Sequence, residues 1–229
     1  PEADEDQHLL AFLRASDLDL ECAARRLNET AAWRRDSGIA AKMADRAWLD
    51  AERGLRRALL YDMLGTDAGG RPLLVERVGA WDVARVRELA ADSERFVMLN
   101  AMVTEALLRT PRPAGTLDTR GIVAVMDMDG LSSRHLCPGL LRGFAAVSSV
   151  ITSHYPDLLA HIFVINAPWV FTAVKAMINP FLASGTLAKV HVSASVPAEL
   201  LELAGPCLPA ELRGEREQIF PYDEEAELS

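Results

Sequence analysis

The N-terminal part of the chain carries its hydrophobic residues at helical spacing. Leucines recur every three or four residues over residues 4–14, which predicts a first helix. Asp19 is a suitable N-cap for a second helix, which is expected to end before Gly38. A third helix is predicted over residues 45–58. Together these elements predict a helical N-terminal unit formed by residues 1–58.

Short apolar runs separated by turns replace this pattern in the rest of the chain. Residues 59–64 and 73–78 predict a hairpin, because the stretch between them is rich in Gly and Pro. The Val- and Ile-rich run at residues 121–128 is typical of a strand that is buried on both faces. Two further strands are predicted over residues 161–165 and 189–193.

Helical patterns lie between these strands. They are predicted over residues 83–90, 93–109 and 133–153, from Pro168 onward, and over residues 196–204. Strands that alternate with helices indicate a mostly parallel sheet with crossover helices, so the predicted fold class is α/β. The corresponding domain is expected to cover residues 59–214, followed by an acidic tail at residues 215–229.

Composition and charge narrow the possible functions. The chain has 229 residues, of which 50% are hydrophobic and 25% charged, as in globular proteins. Its net charge of −9 argues against nucleic acid as a partner. The three cysteines, Cys22, Cys137 and Cys207, are far apart, which favours a reducing compartment and no disulfide framework. With no signal peptide visible, these features predict a cytoplasmic protein without metal or cofactor.

The helix predicted after Pro168 is strongly apolar. Its hydrophobic side chains fall within an arc of about 100° and comprise Val170, Phe171, Val174 and Ile178. Prolines bound this helix at both ends, at positions 168 and 180. Such a helix can pack permanently on the sheet, or it can act as a lid over a cavity. Periodicity alone favours permanent packing.

Ordered sequence motifs resemble the CRAL-TRIO domain family. In the C-terminal half they are Tyr155-Pro156, Ile165-Asn166-Ala167-Pro168-Trp169, Pro180-Phe181-Leu182 and Lys189-Val190-His191. Earlier motifs are the segment from Leu9 to Ala15, Trp33-Arg34, Gly70-Arg71-Pro72 and the segment from Glu76 to Gly79. Residues 208–214 resemble the closing motif, with Arg213 in place of its first glycine. The resemblance covers residues 5–214.

The resemblance implies a lipid pocket above the sheet, with the helix after the Asn-Ala-Pro motif as a mobile gate. The gate then corresponds to residues 168–182. The residues implied to line the pocket or the gate are Met63, Leu74, Ile122, Ala124, Met126, Phe144, Val170, Phe171, Val174, Ile178 and Phe181. A gate of this kind lets a lipid move between the protein and a membrane.

A headgroup site is also implied by the resemblance. Members that bind phosphoinositol use a glutamate after Tyr-Pro, a threonine, and a lysine three residues beyond it. Asp157, Thr186 and Lys189 stand at these positions, and Asp157 keeps the charge on a shorter side chain. A lysine can neutralise a phosphate in a partly buried site.

Two departures from the family pattern affect the choice of lipid. The basic pair that follows Leu-Arg-Ala in the family is replaced by Ser16-Asp17. The polar residues that hold a choline headgroup are replaced by apolar ones, namely Met63, Leu74, Ile122 and Ala124. A phosphoinositide, or a ligand such as a sterol or isoprenoid, is therefore better supported than phosphatidylcholine.

One motif indicates a different chemistry. Asp127 and Asp129 follow an apolar strand in an Asp-x-Asp-Gly arrangement, which resembles the first motif of haloacid-dehalogenase-type phosphatases. There, the first aspartate attacks phosphorus and the second acts as acid and base, with Mg²⁺. Only about 100 residues follow here, and no later acidic pair has a suitable context. The structural alternative for Asp127 is to cap nearby N–H groups.

Taken together, these observations predict a monomeric, non-enzymatic protein that binds one lipid and exchanges it with membranes through transient surface contact. The expected ligand is phosphatidylinositol or another phospholipid, and a lipid kinase is a candidate partner. A lipid-sensing module that recruits a protein partner is the alternative in another class. A Mg²⁺-dependent phosphatase that uses Asp127 and Asp129 is the distant third.

Overall fold

A single mixed sheet organises the computed structural model, which describes residues 2–109, 121–179 and 184–216. Its strands lie in the order β1-β2-β3-β4-β5. The first two are antiparallel and the others are parallel, which confirms the predicted α/β class and the hairpin. The strands are β1 (Tyr61–Thr66), β2 (Pro72–Glu76), β3 (Ile122–Asp127), β4 (Leu159–Ile165) and β5 (Val190–Val192).

Helices precede the sheet and connect its strands. They are α1 (Glu2–Arg14), α2 (Leu20–Ser37), α3 (Ile39–Lys42), α4 (Arg46–Leu59), α5 (Val83–Ala91), α6 (Ser93–Leu108), α7 (Pro138–His154), α8 (Phe171–Ile178), α9 (Ser184–Leu187) and α10 (Ala198–Ala204). The short helices α3 and α9 were not predicted.

Capping residues set the limits of the N-terminal helices as the sequence predicted. The Asp19 carboxylate accepts a hydrogen bond of 2.9 Å from the backbone N–H of Cys22 and thereby starts α2. Gly38 ends the same helix in the left-handed region, at φ 63°, where a residue without Cβ is unstrained. Asp45 caps α4 in the same way as Asp19 caps α2.

Two predicted helix starts were wrong. The helix predicted over residues 133–153 begins only at Pro138, because the residue before a proline is pushed into an extended conformation, as Cys137 is here. A separate turn of 3-10 helix covers Ser133–His135. The helix predicted from Pro168 begins at Phe171. The N–H of Phe171 donates to the carbonyl of Pro168, so the first turn is not α-helical.

The two faces of the sheet belong to different hydrophobic clusters. One face packs against α10 and the segment after it, through residues such as Val123, Phe163 and Leu200. The other face packs against helices of the preceding and crossover segments, through residues such as Ile122 and Leu99. The sheet therefore separates a small C-terminal core from a larger core on the side of the helices.

Candidate functional site

The two faces of the sheet are covered to different degrees. On the face turned to α10, the central side chains of Leu73, Val75 and Val123 are 0% exposed. On the opposite face, Leu74 and Met126 are only half-buried, although their strands also lie inside the sheet. Side chains at the centre of a fully packed sheet are normally inaccessible to water. The second face, which we call the pocket face, is therefore not completely covered at Leu74 and Met126.

The strand residues predicted to line a pocket all lie on the pocket face. Leu74 is directly opposite Met63 on one side and Ala124 on the other. Ile122 and Met126 share this face with Ala124, because successive side chains of a strand alternate. The structure therefore brings the five predicted strand positions together on one apolar surface.

Aromatic side chains from the helices form one wall beside the pocket face. Phe144 of α7 stacks on Trp81 with ring centroids 5.2 Å apart, and its edge meets Phe96 of α6 at 5.5 Å. Val170 and Phe171 contact the same cluster from the start of α8. Three residues predicted to line the pocket or the gate thus belong to the core on the side of the pocket face. They are Phe144, Val170 and Phe171.

The connection between β4 and α8 is held by hydrogen bonds across the strand ends. The Asn166 side chain donates to Asp127 Oδ1 at 2.9 Å, and its backbone has a positive φ of 49°. The Ala167 N–H donates to the Ser193 carbonyl at 3.0 Å. Trp169 follows with 90% of its side chain exposed. The exposed Trp169 therefore follows directly after a strand end, that of β4, which is hydrogen-bonded to its neighbours.

Part of the predicted gate at residues 168–182 is not described. The backbone of α8 is described, but the side chains of Val174 and Ile178 are not. Phe181 lies outside the described residues. The proposed contributions of these three side chains to the gate stay predictions.

A cluster of charged residues lies where β4 and β5 begin. Lys189 Nζ is 3.1 Å from Asp157 Oδ1. The Lys189 N–H donates to the Thr186 carbonyl at 3.0 Å, which places this predicted threonine in the adjoining turn. Asp157 has a positive φ of 56°, a region that aspartate tolerates better than most residues. The structure thus brings the three predicted headgroup positions to the same edge of the sheet.

Arg14 of α1 is an additional cation in this cluster that sequence reasoning missed. Its Nη1 is 3.7 Å from Asp157 Oδ2. The same nitrogen is buried and has no hydrogen-bond partner within the described part of the chain. Ser16-Asp17 replaces the basic pair that usually follows this motif, so the sequence indicated the loss of a cation at this site. The arginine two residues earlier in the same motif was the available signal.

The carboxylate of Asp127 is engaged on both oxygens by protein groups. In addition to Asn166, the N–H of Asp129 donates to Oδ1 at 3.0 Å. The Nε of Arg77 lies 3.7 Å from Oδ2. Asp127 itself is 3% exposed, whereas Asp129 is exposed to solvent. These contacts support the capping role of Asp127.

One carboxylate, that of Glu76, lies on the otherwise apolar pocket face. Glu76 follows Leu74 by two residues in β2 and is paired with Tyr61 of β1. Burial raises the pKa of Glu76 from its usual 4.5 to about 7. The pocket face therefore carries a group that changes its charge near neutral pH.

A second charged network lies between the N-terminal helices and the rest of the molecule. Glu105 of α6 is 4% exposed and accepts hydrogen bonds from both terminal nitrogens of Arg34 of α2, one of them at 3.0 Å. The Tyr155 hydroxyl donates to the same carboxylate at 2.9 Å. Burial and the neighbouring Glu105 raise the pKa of Tyr155, so this hydroxyl keeps its proton. The Tyr-Pro motif therefore contributes to the attachment of α2.

The mixed sheet with helices on both faces defines an α/β protein, with a partly covered apolar face and a charged cluster where β4 and β5 begin. A family model described as the CRAL/TRIO domain matches residues 58–214. The chain belongs to this family. The fold is similar to that in the crystal structure of Sfh5, which superposes with a TM-score of 0.74. That match has 18% sequence identity and covers 95% of this chain and 74% of the other.

Curated relatives agree with the family assignment. Phosphatidylinositol/phosphatidylcholine transfer protein SFH13 of Arabidopsis thaliana is 29% identical over 203 residues, which cover 84% of this chain. Sec14 cytosolic factor of Schizosaccharomyces pombe is 27% identical over 219 residues, which cover 92%. The matched part spans 31% of the first relative and 74% of the second.

None of the helices in the described part of the chain combines the length and apolar character that crossing a membrane requires.

Proposed function

We propose that this chain binds one phospholipid above the pocket face and exchanges it with membranes. The observation that carries the proposal is the incomplete burial of Leu74 and Met126 on inner strands of the sheet. Leaving such side chains uncovered costs free energy, which a bound apolar ligand recovers. The name of the Arabidopsis relative, a phosphatidylinositol/phosphatidylcholine transfer protein, supports the same function.

The energetics of transfer require an apolar pocket of this kind. Two acyl chains contain about 30 methylenes, and each is worth about 0.8 kcal/mol on leaving water, so a free lipid in water costs more than ~20 kcal/mol. A pocket lined by aliphatic and aromatic side chains resembles the bilayer interior, which makes exchange nearly neutral. The main remaining barrier is the opening of the pocket.

The charged cluster favours a lipid whose headgroup carries a phosphate and hydroxyl groups. Lys189 and Arg14 provide two cations for a phosphate, and Asp157 between them can accept hydrogen bonds from hydroxyls. The positions that hold choline in the family carry only apolar side chains here. We therefore favour phosphatidylinositol over phosphatidylcholine.

Native mass spectrometry of the purified chain, followed by extraction of the bound lipid, tests the carrier function. We expect one lipid per protein molecule. An empty protein that takes up no lipid from liposomes contradicts the proposal. Transfer assays between vesicles then separate a carrier from a sensor, because a sensor binds lipid without accelerating its movement.

The headgroup assignment predicts a selective effect of Lys189→Ala. Removing a charge-assisted contact to phosphate is worth about 1.5 kcal/mol, so uptake of phosphatidylinositol should weaken roughly tenfold. Uptake of a neutral diacylglycerol should change little. The assay is uptake of each lipid from labelled vesicles at fixed ionic strength.

Lys42→Ala is the matched control, because Lys42 lies on α3, outside the charged cluster. It should leave the uptake of both lipids unchanged. Equal losses for phosphatidylinositol and diacylglycerol in Lys189→Ala contradict the headgroup assignment while leaving the carrier function intact.

A further inference from the structure

Two histidines and a glutamate meet on the side of the sheet opposite the pocket face. His161 is on β4, His191 is on β5, and Glu199 is in the first turn of α10. Their potential ligand atoms all lie within 4.8 Å of one another. Among residues 2–109, 121–179 and 184–216, this is the single group of three or more His, Cys, Asp or Glu side chains with that property.

The distance between the two imidazoles matches metal coordination better than a direct hydrogen bond. His161 Nδ1 and His191 Nε2 are 3.4 Å apart. Two nitrogens at about 2.0–2.1 Å from a tetrahedral zinc ion are separated by about 3.3–3.4 Å. Hydrogen bonds from nitrogen donors are usually about 2.9–3.0 Å long.

Both imidazoles are positioned by packing before any ion is bound. The Phe163 ring packs beside both imidazoles on the same face, at interplanar angles of 23° and 22°, with its centroid 5.9 Å from that of His161 and 4.9 Å from that of His191. The two histidines are carried by neighbouring parallel strands, in which Phe163 is directly opposite His191. A metal site needs this kind of rigid support, because poorly held ligands lose affinity to conformational entropy.

Glu199 supplies a carboxylate on the open side of the pair. Its Oε2 is 3.7 Å from His191 Nδ1, the ring nitrogen that does not face His161, and its side chain is 60% exposed. A change of Glu199 rotamer therefore brings the carboxylate to an ion held between the two imidazoles. His191 is 37% exposed, which leaves a path from solvent. Two histidines and one glutamate are a donor set that binds zinc, with water in the fourth position.

The surrounding charges are compatible with a cation. Burial lowers the pKa of His161, and the nearby Arg71 and His191 lower it further, while Glu199 and Asp67 act in the opposite direction. Arg71 is itself paired with Asp67 at 2.7 Å, so its charge is largely compensated.

We propose that His161, His191 and Glu199 bind one divalent transition-metal ion, with zinc as the representative ion. The ion joins β4, β5 and α10 on the face of the sheet that carries no lipid. The spacing of these residues along the chain gives no metal-binding motif, because β4 and β5 meet only in the folded sheet. The proposal is independent of lipid binding.

Isothermal titration calorimetry of the chelator-treated full chain with Zn²⁺ tests the site. We expect one ion per chain. His191→Gln and His161→Gln should each weaken zinc binding at least tenfold, and Glu199→Gln should weaken it about tenfold or more. The visible absorption of Co²⁺ in the same site should show the intense bands of four-coordinate geometry and lose them in His191→Gln.

His8→Gln is the matched control, since it removes an exposed imidazole on α1 and should leave zinc affinity unchanged. Circular dichroism without metal verifies that each variant is folded, and Glu199→Gln, an exposed and conservative change, provides a test that does not disturb the strands. Zinc affinity that is equal in the wild type and in all three cluster variants overturns the proposal. So does the absence of zinc binding by the wild-type chain.

Discussion

Glu76 links the pocket face to the pH dependence of stability. In the unfolded chain its carboxyl group has the ordinary pKa of 4.5, whereas burial raises the value in the folded protein to about 7. The folded state therefore binds more protons than the unfolded state between these two values. It follows that the contribution of Glu76 to stability is most favourable at low pH and is lost as the pH rises from about 4.5 to about 7.

Glu76→Gln should remove this dependence. The difference of about 2.5 pKa units sets an upper limit of roughly 3 kcal/mol on the gain in unfolding free energy at pH 8. Urea unfolding at several pH values measures it, with Glu88→Gln as the control, because Glu88 is an exposed carboxylate on α5. Parallel pH profiles for the wild type and Glu76→Gln contradict the assignment.

At the scale of elements, the start of α8 combines a rigid support with an exposed apolar side chain. Asn166 and Ala167 are bonded to neighbouring strand ends, while Trp169 is 90% exposed. Tryptophan is well suited to the interface between lipid headgroups and acyl chains, because its ring is apolar and its N–H is polar. We therefore expect Trp169 to be a contact between the gate and the membrane.

Trp169→Ala should slow lipid transfer between vesicles about tenfold, since partial burial of this ring in a membrane is worth about 1.4 kcal/mol. The urea midpoint should not change, because the ring is exposed in the protein. Leu20→Ala is the control, as Leu20 is 74% exposed on α2, outside the predicted gate. Transfer rates that are equal in the two variants argue against a membrane contact at Trp169.

The elements show how far local sequence patterns determine the structure. Asp19, Gly38 and Asp45 predicted helix limits correctly because a cap acts within one turn. The helix start predicted at residue 133 was wrong because Pro138 keeps the residue before it in an extended conformation, which is a local effect of one proline within an otherwise helical pattern. Arg213, which stands in place of a family glycine, has a φ of 63°, so the closing motif keeps the backbone conformation that its usual glycine would favour.

The sequence did not predict the contacts between segments that are distant along the chain. Arg14 meets Asp157 across more than 140 residues, and His161 meets His191 only because β4 and β5 are neighbours. No spacing rule brings such pairs together. The strand positions expected to line a pocket, in contrast, do share one face of the sheet, because alternation along strands is a local property. Their role in lining a pocket stays a prediction.

At the scale of the whole molecule, Glu105 is a buried polar connection between α2 and the helices beside the sheet. Its buried carboxylate receives Arg34 from α2 and the hydroxyl of Tyr155, just after α7. Arg109 lies 3.5 Å away on the same helix. A buried carboxylate that loses its main cation retains its desolvation cost without compensation. The attachment of the N-terminal helices should therefore depend on Arg34 far more than its position on a surface helix indicates.

Arg34→Leu should lower the free energy of unfolding by about 2–3 kcal/mol. This is below the 3–5 kcal/mol typical of a fully buried pair, because the Arg34 side chain is 37% exposed and the remaining partners compensate part of the loss. Arg35→Leu is a close control, since the neighbouring Arg35 pairs with Asp36 on the surface, where both side chains are about 70% exposed. That change should cost less than about 1 kcal/mol. The two variants are compared by urea unfolding followed by circular dichroism. Similar losses of unfolding free energy in both variants would mean that surface charge in general, and not the contact with Glu105, provides the stabilisation.

If Arg34→Leu also makes the unfolding transition biphasic, then the same ion pair couples the N-terminal helices to the domain of residues 59–214 as one cooperative unit.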